Sequence, residues 1–454
     1  MLTRNLKTIT ELTNTIINEK YHDVMVKGIS TDTRTIQKDN MFIALRGDNF
    51  DGQNYIEMAF EKGASCCVVN RDYRNINDYP VIEVDDTKEF MMDLARGYIN
   101  SLNCKVIAIT GSNGKTTTKD IMSSLLKEKY KVVKTQKNYN NEIGLSKTIF
   151  DIDDDTEVAV LEMGTENFGE ISQLTNIAHP DIAMITNIGD SHLLNLKTKE
   201  NIARAKFEIL EGLKEDGIFI LNNDDPVLRE VKQEYKLPEK TISFGIKPDS
   251  DYRMEMIKAD ETGSTFSIND HVFNIELLGH HQMYNATMSI IVAELMGLDY
   301  SDVAKGLKKI ELTGMRNELI LLDKFHILND SYKSNPQSLT SCLETAYGLH
   351  GYSRKIAVLG DMLELGDNEI TLHKNIGKSI NPEKIDYVLA TGPLAENIIK
   401  GARTNFAEDK VFYFETKEEL LEKLQELIVD NTLVLVKASH AMQFDKLVEQ
   451  IKEI

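Results

Sequence analysis

The sequence predicts an α/β protein of three domains. These are a small mixed α/β N-terminal domain over residues 1–102, a central doubly wound domain over 103–313 and a C-terminal Rossmann-like domain over 314–454. Three observations predict it. The chain has 454 residues, and at about 150 residues per domain that length asks for roughly three cores. Beyond Asn103, apolar strand-length runs alternate with amphipathic helix-length stretches, the pattern of parallel strands joined by right-handed crossovers. A second alternating series begins near Gly314.

In the first domain a helical stretch is expected around Ile9–Ile17. Strand candidates follow at Met41–Leu45, Cys66–Asn70 and Val81–Val84, with helices at Tyr55–Lys62 and Lys88–Asn100. The central strands are Val106–Thr110, Val158–Glu162, Ile182–Asn187 and Ile218–Asn222. Four short runs, Thr241–Phe244, Tyr252–Ile257, Ser264–Ile268 and His271–Ile275, suggest an antiparallel flap on that sheet. The last series places strands at Ile327–Asp330, Ile356–Gly360, Tyr387–Thr391, Val411–Phe414 and Leu433–Lys437. Helices lie between them at Pro336–Tyr347, Leu372–Ser379 and Glu418–Val429. The acidic run Asp151–Glu157 reads as a solvated turn.

Composition excludes several classes. Apolar residues at 41% and charged residues at 27% mark a soluble globular chain. No apolar run approaches the ~18 residues of a membrane span, and the charged N-terminus lacks a signal-peptide core. The four Cys show no CxxC spacing, and Cys66–Cys67 read as a buried strand pair, which fits a reducing cytoplasm. With 72 acidic against 52 basic residues the net charge is −20, which repels phosphate backbones and argues against nucleic acid as a partner. A phosphate ligand then needs a local device.

KVIAITGSNGKTTTKD, Lys105 to Asp120, is such a device. An apolar strand runs into Gly111, Ser112, Asn113, Gly114, Lys115, Thr116 and Thr117, then into a helix carrying Lys119, Met122 and Leu125. Glycines let backbone N–H groups curl around a phosphate, the helix N-terminus adds its dipole, and Lys115 adds a full charge. The Thr116 hydroxyl is placed to ligate Mg²⁺. The loop is shorter than GxxxxGK[ST], since Gly111 is its first glycine and position 109 is Ile.

With these residues in view, the chain resembles the Mur ligase family. The motifs fall in family order: STDTRTIQKDNMFIALRGDNFDGQNYI, TGSNGKTTTKD, NYNNEIGLSKTI, LEMGT, ITNIGDSHL, ARAKFEI, GHHQMYNAT, LTGMRNE, SYKSNPQS and VLGDMLELG. NYNNEIG, LEMG and LGDMLELG point to the branch that joins D-alanyl-D-alanine to UDP-N-acetylmuramoyl-tripeptide. The resemblance implies a UDP-sugar-binding N-terminal domain, a central ATPase domain and a C-terminal domain for the incoming amine. It implies ATP and two Mg²⁺ as cofactors, small-molecule substrates and a monomer. The γ-phosphoryl of ATP would activate a carboxylate as an acyl phosphate, which the amine then attacks.

The same resemblance assigns roles. Glu162, at the C-terminal end of a strand and so facing the ligand crevice, would bind Mg²⁺ with Thr116. His192 would take a second Mg²⁺ together with Lys206, which the family carbamylates. That chemistry needs a neutral amine, hence a lysine with a depressed pKa. Asn285 would contact adenine, Arg316 the phosphates, and Asp330 the ribose or γ-phosphate region. Asn335 completes the Asp330 motif, with Pro336 starting a helix. Ser30, Asp32, Arg34, Arg46, Gly47 and Asp51 would hold the UDP-sugar, though read alone they form only a polar loop. Asn140 and Asn141 would meet the muramoyl-peptide end.

Four motifs depart from the family pattern. GxHN becomes His281-Gln282, DGH becomes Asp51-Gly52-Gln53, DxYNANP becomes Asp330-Ser331-Tyr332-Lys333-Ser334-Asn335-Pro336, and KGSR becomes Lys437-Ala438-Ser439-His440. Arg to His removes a permanent charge and a carboxylate fork. Lys333 and His440 therefore leave open a Mur-type ligase with another amine donor. A nucleotide-binding scaffold without ligation is the alternative outside enzymes. Folylpolyglutamate synthases share the ATP core but lack the N-terminal sugar domain.

Overall fold

A computed structural model describes residues 1–47, 49–74 and 77–454. It is a mixed α/β molecule built on three main sheets, as the alternation predicts. The first has four parallel strands in the order Ile29–Ser30, Met41–Ile43, Cys66–Asn70 and Val81–Val84. Cys66 and Cys67 are buried there on opposite faces, and all four cysteines are free. The Asp151–Glu157 run is a mostly exposed turn tied down by Arg4 and Lys131.

The central sheet has nine strands. Six are parallel, in the order Val132–Lys134, Val158–Glu162, Lys105–Thr110, Ile182–Ile185, Ile218–Asn222 and Thr241–Gly245. Tyr252–Asp260 continues parallel to the sixth, and Gly263–Ile268 and His271–Ile275 then fold back antiparallel. The expected flap is thus smaller than the sequence suggests: Thr241–Gly245 belongs to the parallel sheet. Its isolated run of five residues carries no mark of direction, which is set by the helix Pro226–Val231 crossing over before it.

Burial on both faces gives these strands their continuous apolar character. In Lys105–Thr110, Val106 and Ala108 face one apolar core, and Ile107 and Ile109 face another beneath the helices Lys115–Leu126 and His281–Leu295. The first of these cores also contains Leu6, Val26, Val68 and Leu94, so the N-terminal segment and the central sheet are packed as one body. The helix Thr87–Asn100 joins them. Asp86 caps it by accepting from the Lys88 and Glu89 N–H groups, and Phe90, Leu94 and Tyr98 line its buried face. Each such side chain contributes about 1.5–3 kcal/mol by leaving water. The Tyr98 hydroxyl then donates to the Ile152 carbonyl at 2.7 Å.

The first helix runs over Leu6–Thr13, earlier than the apolar spacing predicts. Its ends are chemical: Asn5 accepts from the Thr8 N–H, and Asn14 closes the helix in the left-handed conformation at φ 50°. The C-terminal sheet has six strands, ordered Glu318–Leu321, Phe325–Asn329, Thr432–Lys437, Arg354–Leu359, Tyr387–Thr391 and Val411–Phe414. All pairs but the first are parallel. No helix among the described residues is long and apolar enough to cross a membrane.

Candidate functional site

The strand Lys105–Thr110 ends in a loop that requires glycine at two positions. Gly111 sits at φ 149° with a Cβ position 1.8 Å from Thr186 Oγ1, and Gly114 sits at φ 83° with a Cβ position 2.5 Å from Asn285 Oδ1. The loop is fixed from below. Ser112 donates its N–H to the Asn187 carbonyl, the Asn113 N–H reaches Asn187 Oδ1, and Thr186 Oγ1 donates to the Asn113 carbonyl at 2.6 Å. The helix Lys115–Leu126 then starts with its free N–H groups at the loop. Lys115 Nζ folds back onto the Gly111 carbonyl at 2.7 Å. Burial pulls its ammonium down to about 8; Glu162 opposes that shift, while Lys333 and Arg316 add to it.

Glu162 ends the neighbouring strand, in register with Ile109. Thr116 Oγ1 donates to its Oε2 at 2.8 Å, and Asn140 Nδ2 donates to its Oε1 at 3.1 Å. A hydroxyl and a carboxylate at the mouth of a phosphate loop make the hard oxygen set that Mg²⁺ takes, so these residues fit such an ion. Asn141 does different work: its side chain accepts from the Gly144 N–H and caps the helix Glu142–Phe150.

His192 occupies a left-handed position, φ 60°, after the strand Ile182–Ile185. Its Nδ1 lies 2.9 Å from Glu364 Oε2 and its Nε2 lies 3.0 Å from Lys333 Nζ. Burial lowers its pKa; Glu364 opposes the shift and Lys333 and Lys206 add to it. The neutral tautomer that fits these partners donates from Nδ1 and accepts at Nε2. Both ring nitrogens are thus engaged by side chains from the C-terminal segment. Lys206, on the helix Lys199–Phe207, is only 2% exposed. Burial drives its pKa far below the ordinary value, and Lys115 and Lys333 push it further.

The C-terminal segment closes the other wall of a cavity of about 1240 Å³ that takes in the loop, Glu162 and His192. Arg316 stacks over the Tyr332 ring, its Cζ 4.3 Å from the centroid, and its buried Nε has no hydrogen-bond partner among the described residues. Asp330 Oδ2 accepts from Lys437 Nζ at 2.5 Å, and the same ammonium donates to the Lys333 carbonyl at 2.8 Å. Asn335 caps the helix Pro336–Gly348, which starts on Pro336 as the sequence suggests. Its Nδ2 reaches across to Asn113 Oδ1 at 2.8 Å and Ser191 Oγ at 2.9 Å. Asn285 lies inside the helix His281–Leu295 rather than at its cap. It accepts from Thr118 Oγ1 and donates to Gln282, the residue that departs from the family pattern.

Six residues assigned to the UDP-sugar do not line this cavity. Ser30, Asp32 and Arg34 form one cluster, in which a bidentate Arg34 contact holds the Asp32 carboxyl down at about 2. Arg46 bridges Asp51 and Asp72 on the hairpin that begins at Arg46–Gly47. Two acidic residues near His192 carry no role in the sequence reading. Glu364 sits in the LGDMLELG motif but its contact with His192 joins positions far apart in the chain, and Glu166 carries no motif at all. Glu166, His192 and Glu364 offer ligand atoms within 4.8 Å of one another.

The chain matches the descriptions "Mur ligase family, catalytic domain" over residues 25–99, "Mur ligase middle domain" over 109–293 and "Mur ligase, glutamate ligase domain" over 315–440. It is 41% identical to the UDP-N-acetylmuramoyl-tripeptide–D-alanyl-D-alanine ligase of Bacillus subtilis (strain 168), over 100% of this chain and 99% of that one. A crystal structure of MurF from Acinetobacter baumannii superposes with a TM-score of 0.92 at 25% identity, covering 100% of both chains. MurF ligase from Thermotoga maritima in complex with ADP gives 0.82 at 27% identity, over 94% of this chain and 97% of that one. With a phosphate loop facing a carboxylate at a strand end and a full-length relative of this similarity, the chain belongs to the Mur ligase family.

Proposed function

We propose that the protein joins D-alanyl-D-alanine to UDP-N-acetylmuramoyl-tripeptide at the expense of ATP, in cytoplasmic peptidoglycan precursor synthesis. The observation that carries this reading is the end-to-end similarity to ligases of that name, over a cavity in which the phosphate loop faces cations of the C-terminal segment. The three segments, 1–102, 103–313 and 314–454, then serve the UDP-sugar, ATP and the incoming dipeptide respectively. Ser30, Asp32, Arg34, Arg46, Gly47 and Asp51 are the proposed sugar-nucleotide contacts, and Asn285 the proposed adenine contact.

Phosphoryl transfer asks a protein for positioning and charge neutralisation. Backbone N–H groups of residues 111–117 cradle the phosphates, and Lys115 and Arg316 bring charge to them. Arg316 suits the task because its Nε is buried without a partner and its fork pairs with phosphate oxygens. Thr116 and Glu162 would hold Mg²⁺, which supplies charge neutralisation at the transferring group. The terminal carboxylate of the tripeptide takes the γ-phosphoryl, with ADP leaving. The dipeptide amine then attacks the acyl carbon, and the tetrahedral adduct expels phosphate and gives up a proton to form the amide. Burial disfavours the charged form of Lys206, a neutral amine is the form that adds to CO₂, and we assign this lysine as a carbamylation site.

Lys333 and His440 in the cavity wall favour one second reading, a ligase with a different amine donor. Phosphate release from ATP with UDP-muramoyl-tripeptide and a panel of amines tests both. Release only with D-alanyl-D-alanine supports the first, release with another amine supports the second, and none with any amine refutes both.

A further inference from the structure

The loop 360–365 follows the strand Arg354–Leu359 and lines the cavity through Leu363 and Glu364. Its backbone is clamped from three sides. Gly360 donates its N–H to the Lys437 carbonyl at 3.0 Å and Leu363 donates to Ser439 Oγ at 3.0 Å, while the Ser439 N–H returns to the Asp361 carbonyl. From the central segment, the Leu194 N–H reaches the Glu364 carbonyl at 3.1 Å. The third clamp comes from behind. His373, on the helix Glu369–Ser379, is wholly buried and does not line the cavity. Its Nε2 accepts from the Met362 N–H at 2.9 Å, and its Nδ1 lies 2.7 Å from the Glu369 carbonyl. A backbone N–H only donates and a carbonyl only accepts, so the ring is the Nδ1–H tautomer with its one lone pair committed to Met362. Burial favours that uncharged form, against the Glu369 carbonyl and the charges of Asp361 and Glu369.

These clamps hold a strained backbone. Glu364 sits at φ 65°, a left-handed position disfavoured for a residue with a Cβ, which persists only where the surroundings over-determine it. Strain kept at a cavity wall marks a segment whose shape matters to a ligand. The loop shares its wall with Ser439, His440 and Ala441, beyond the ends of two parallel strands, where α/β sheets take their ligands. That wall belongs to the C-terminal segment, and the phosphate loop stands across from it. We propose that His373 is a positioning residue for the amine donor: by holding Met362 from behind, it fixes the shape of the 360–365 wall against which the incoming D-alanyl-D-alanine lies. This inference rests on the ATP-dependent ligase reading. It adds a residue outside the cavity to those that select the donor.

The test is initial-rate phosphate release by the full-length protein with ATP, UDP-N-acetylmuramoyl-tripeptide and D-alanyl-D-alanine, comparing the wild type with His373→Leu and His373→Gln. His373→Leu leaves the Met362 N–H without an acceptor. It is expected to raise KM for the dipeptide about tenfold, with kcat and the KM values for ATP and the UDP-sugar changed by less than about twofold. His373→Gln brings an amide oxygen to the same reach and is expected to recover most of the dipeptide KM. An unchanged dipeptide KM in His373→Leu, a matching rise in KM for ATP, or no recovery in His373→Gln overturns the inference. Should His373→Leu fail to fold, His373→Asn, whose amide is too short to reach Met362, is measured in its place. If the wild type turns over with another amine, the KM of that amine is read instead. Absence of wild-type turnover with every amine refutes the ligase reading. His373 is then judged by amide hydrogen exchange over 360–366 with D-alanyl-D-alanine added. Protection in the wild type that His373→Leu lacks supports its role, and no protection overturns it.

Discussion

Asn335 is the residue whose substitution best separates folding from function. Its side chain makes three contacts: Oδ1 accepts from the Ser338 N–H at 2.9 Å, and Nδ2 donates to Asn113 and to Ser191. The first caps a helix within the C-terminal segment. The other two bind that segment to the phosphate loop. Asn335→Ser keeps a side-chain oxygen suited to the cap and so leaves stability within about 0.5 kcal/mol. It removes both bridging hydrogen bonds, each contributing about 1 kcal/mol net. A loss of about 2 kcal/mol in the closed arrangement lowers kcat/KM for ATP by about 30-fold, at 1.4 kcal/mol per decade. The assay is initial-rate phosphate release, with urea unfolding as the stability control. Asn335→Ala, which also loses the cap, should show the same fall in kcat/KM with about 1 kcal/mol of added destabilisation. Wild-type kcat/KM in a stable Asn335→Ser protein would refute the bridging role.

Lys206→Ala should abolish ligation, and ¹³C-bicarbonate should give a carbamate resonance in the wild type that the variant lacks; full activity of the variant, with or without bicarbonate, sinks the carbamylation site. Gly114→Ala forces a side chain into a left-handed position at a strain of about 1–2 kcal/mol and drives Cβ onto Asn285, so ATP binding measured by calorimetry should weaken; unchanged affinity contradicts the glycine requirement. Burial holds His281 at about 4 against an ordinary 6.5, so the unfolded chain takes up that proton first. Stability is therefore intact above pH 6.5 and falls as the pH drops from 6.5 towards 4, by up to about 3 kcal/mol. His281→Gln should flatten that slope in urea midpoints compared at pH 7 and pH 5, and an unchanged slope assigns the titration elsewhere.

Much of this molecule is legible in its sequence because its strands are buried on both faces. Continuous apolar runs such as Val158–Glu162 announce themselves, and Gly111 to Thr116 announce a phosphate loop by residue type alone. What stays hidden is set by long-range geometry. The edge strands Val132–Lys134 and Glu318–Leu321 are too short and too exposed to carry a pattern. Thr241–Gly245 gives no sign of its direction. Asn141 lies in a family motif, yet its carbonyl oxygen is used to cap a helix. Lys206 looks like any helical surface lysine until its burial, with the charges of Lys115 and Lys333 acting on it, is known. The link from Glu364 through His192 to Lys333 joins three distant stretches of chain and could come only from coordinates.

The core shared by the N-terminal helix and the central sheet has a mechanical consequence. On the proposed assignment of substrates, two of the three stations belong to one packed body. Where the chain leaves that body, the Thr313 N–H is held at 2.8 Å by Asp120, a buried carboxylate on the phosphate-loop helix that Lys134 also grips. Arg316 follows three residues later. Arg316, Asp330 and Lys333 all lie beyond this joint, so on the proposed assignment any movement about it would bring the cationic side chains to the nucleotide together, with ATP and the sugar held in a fixed relation.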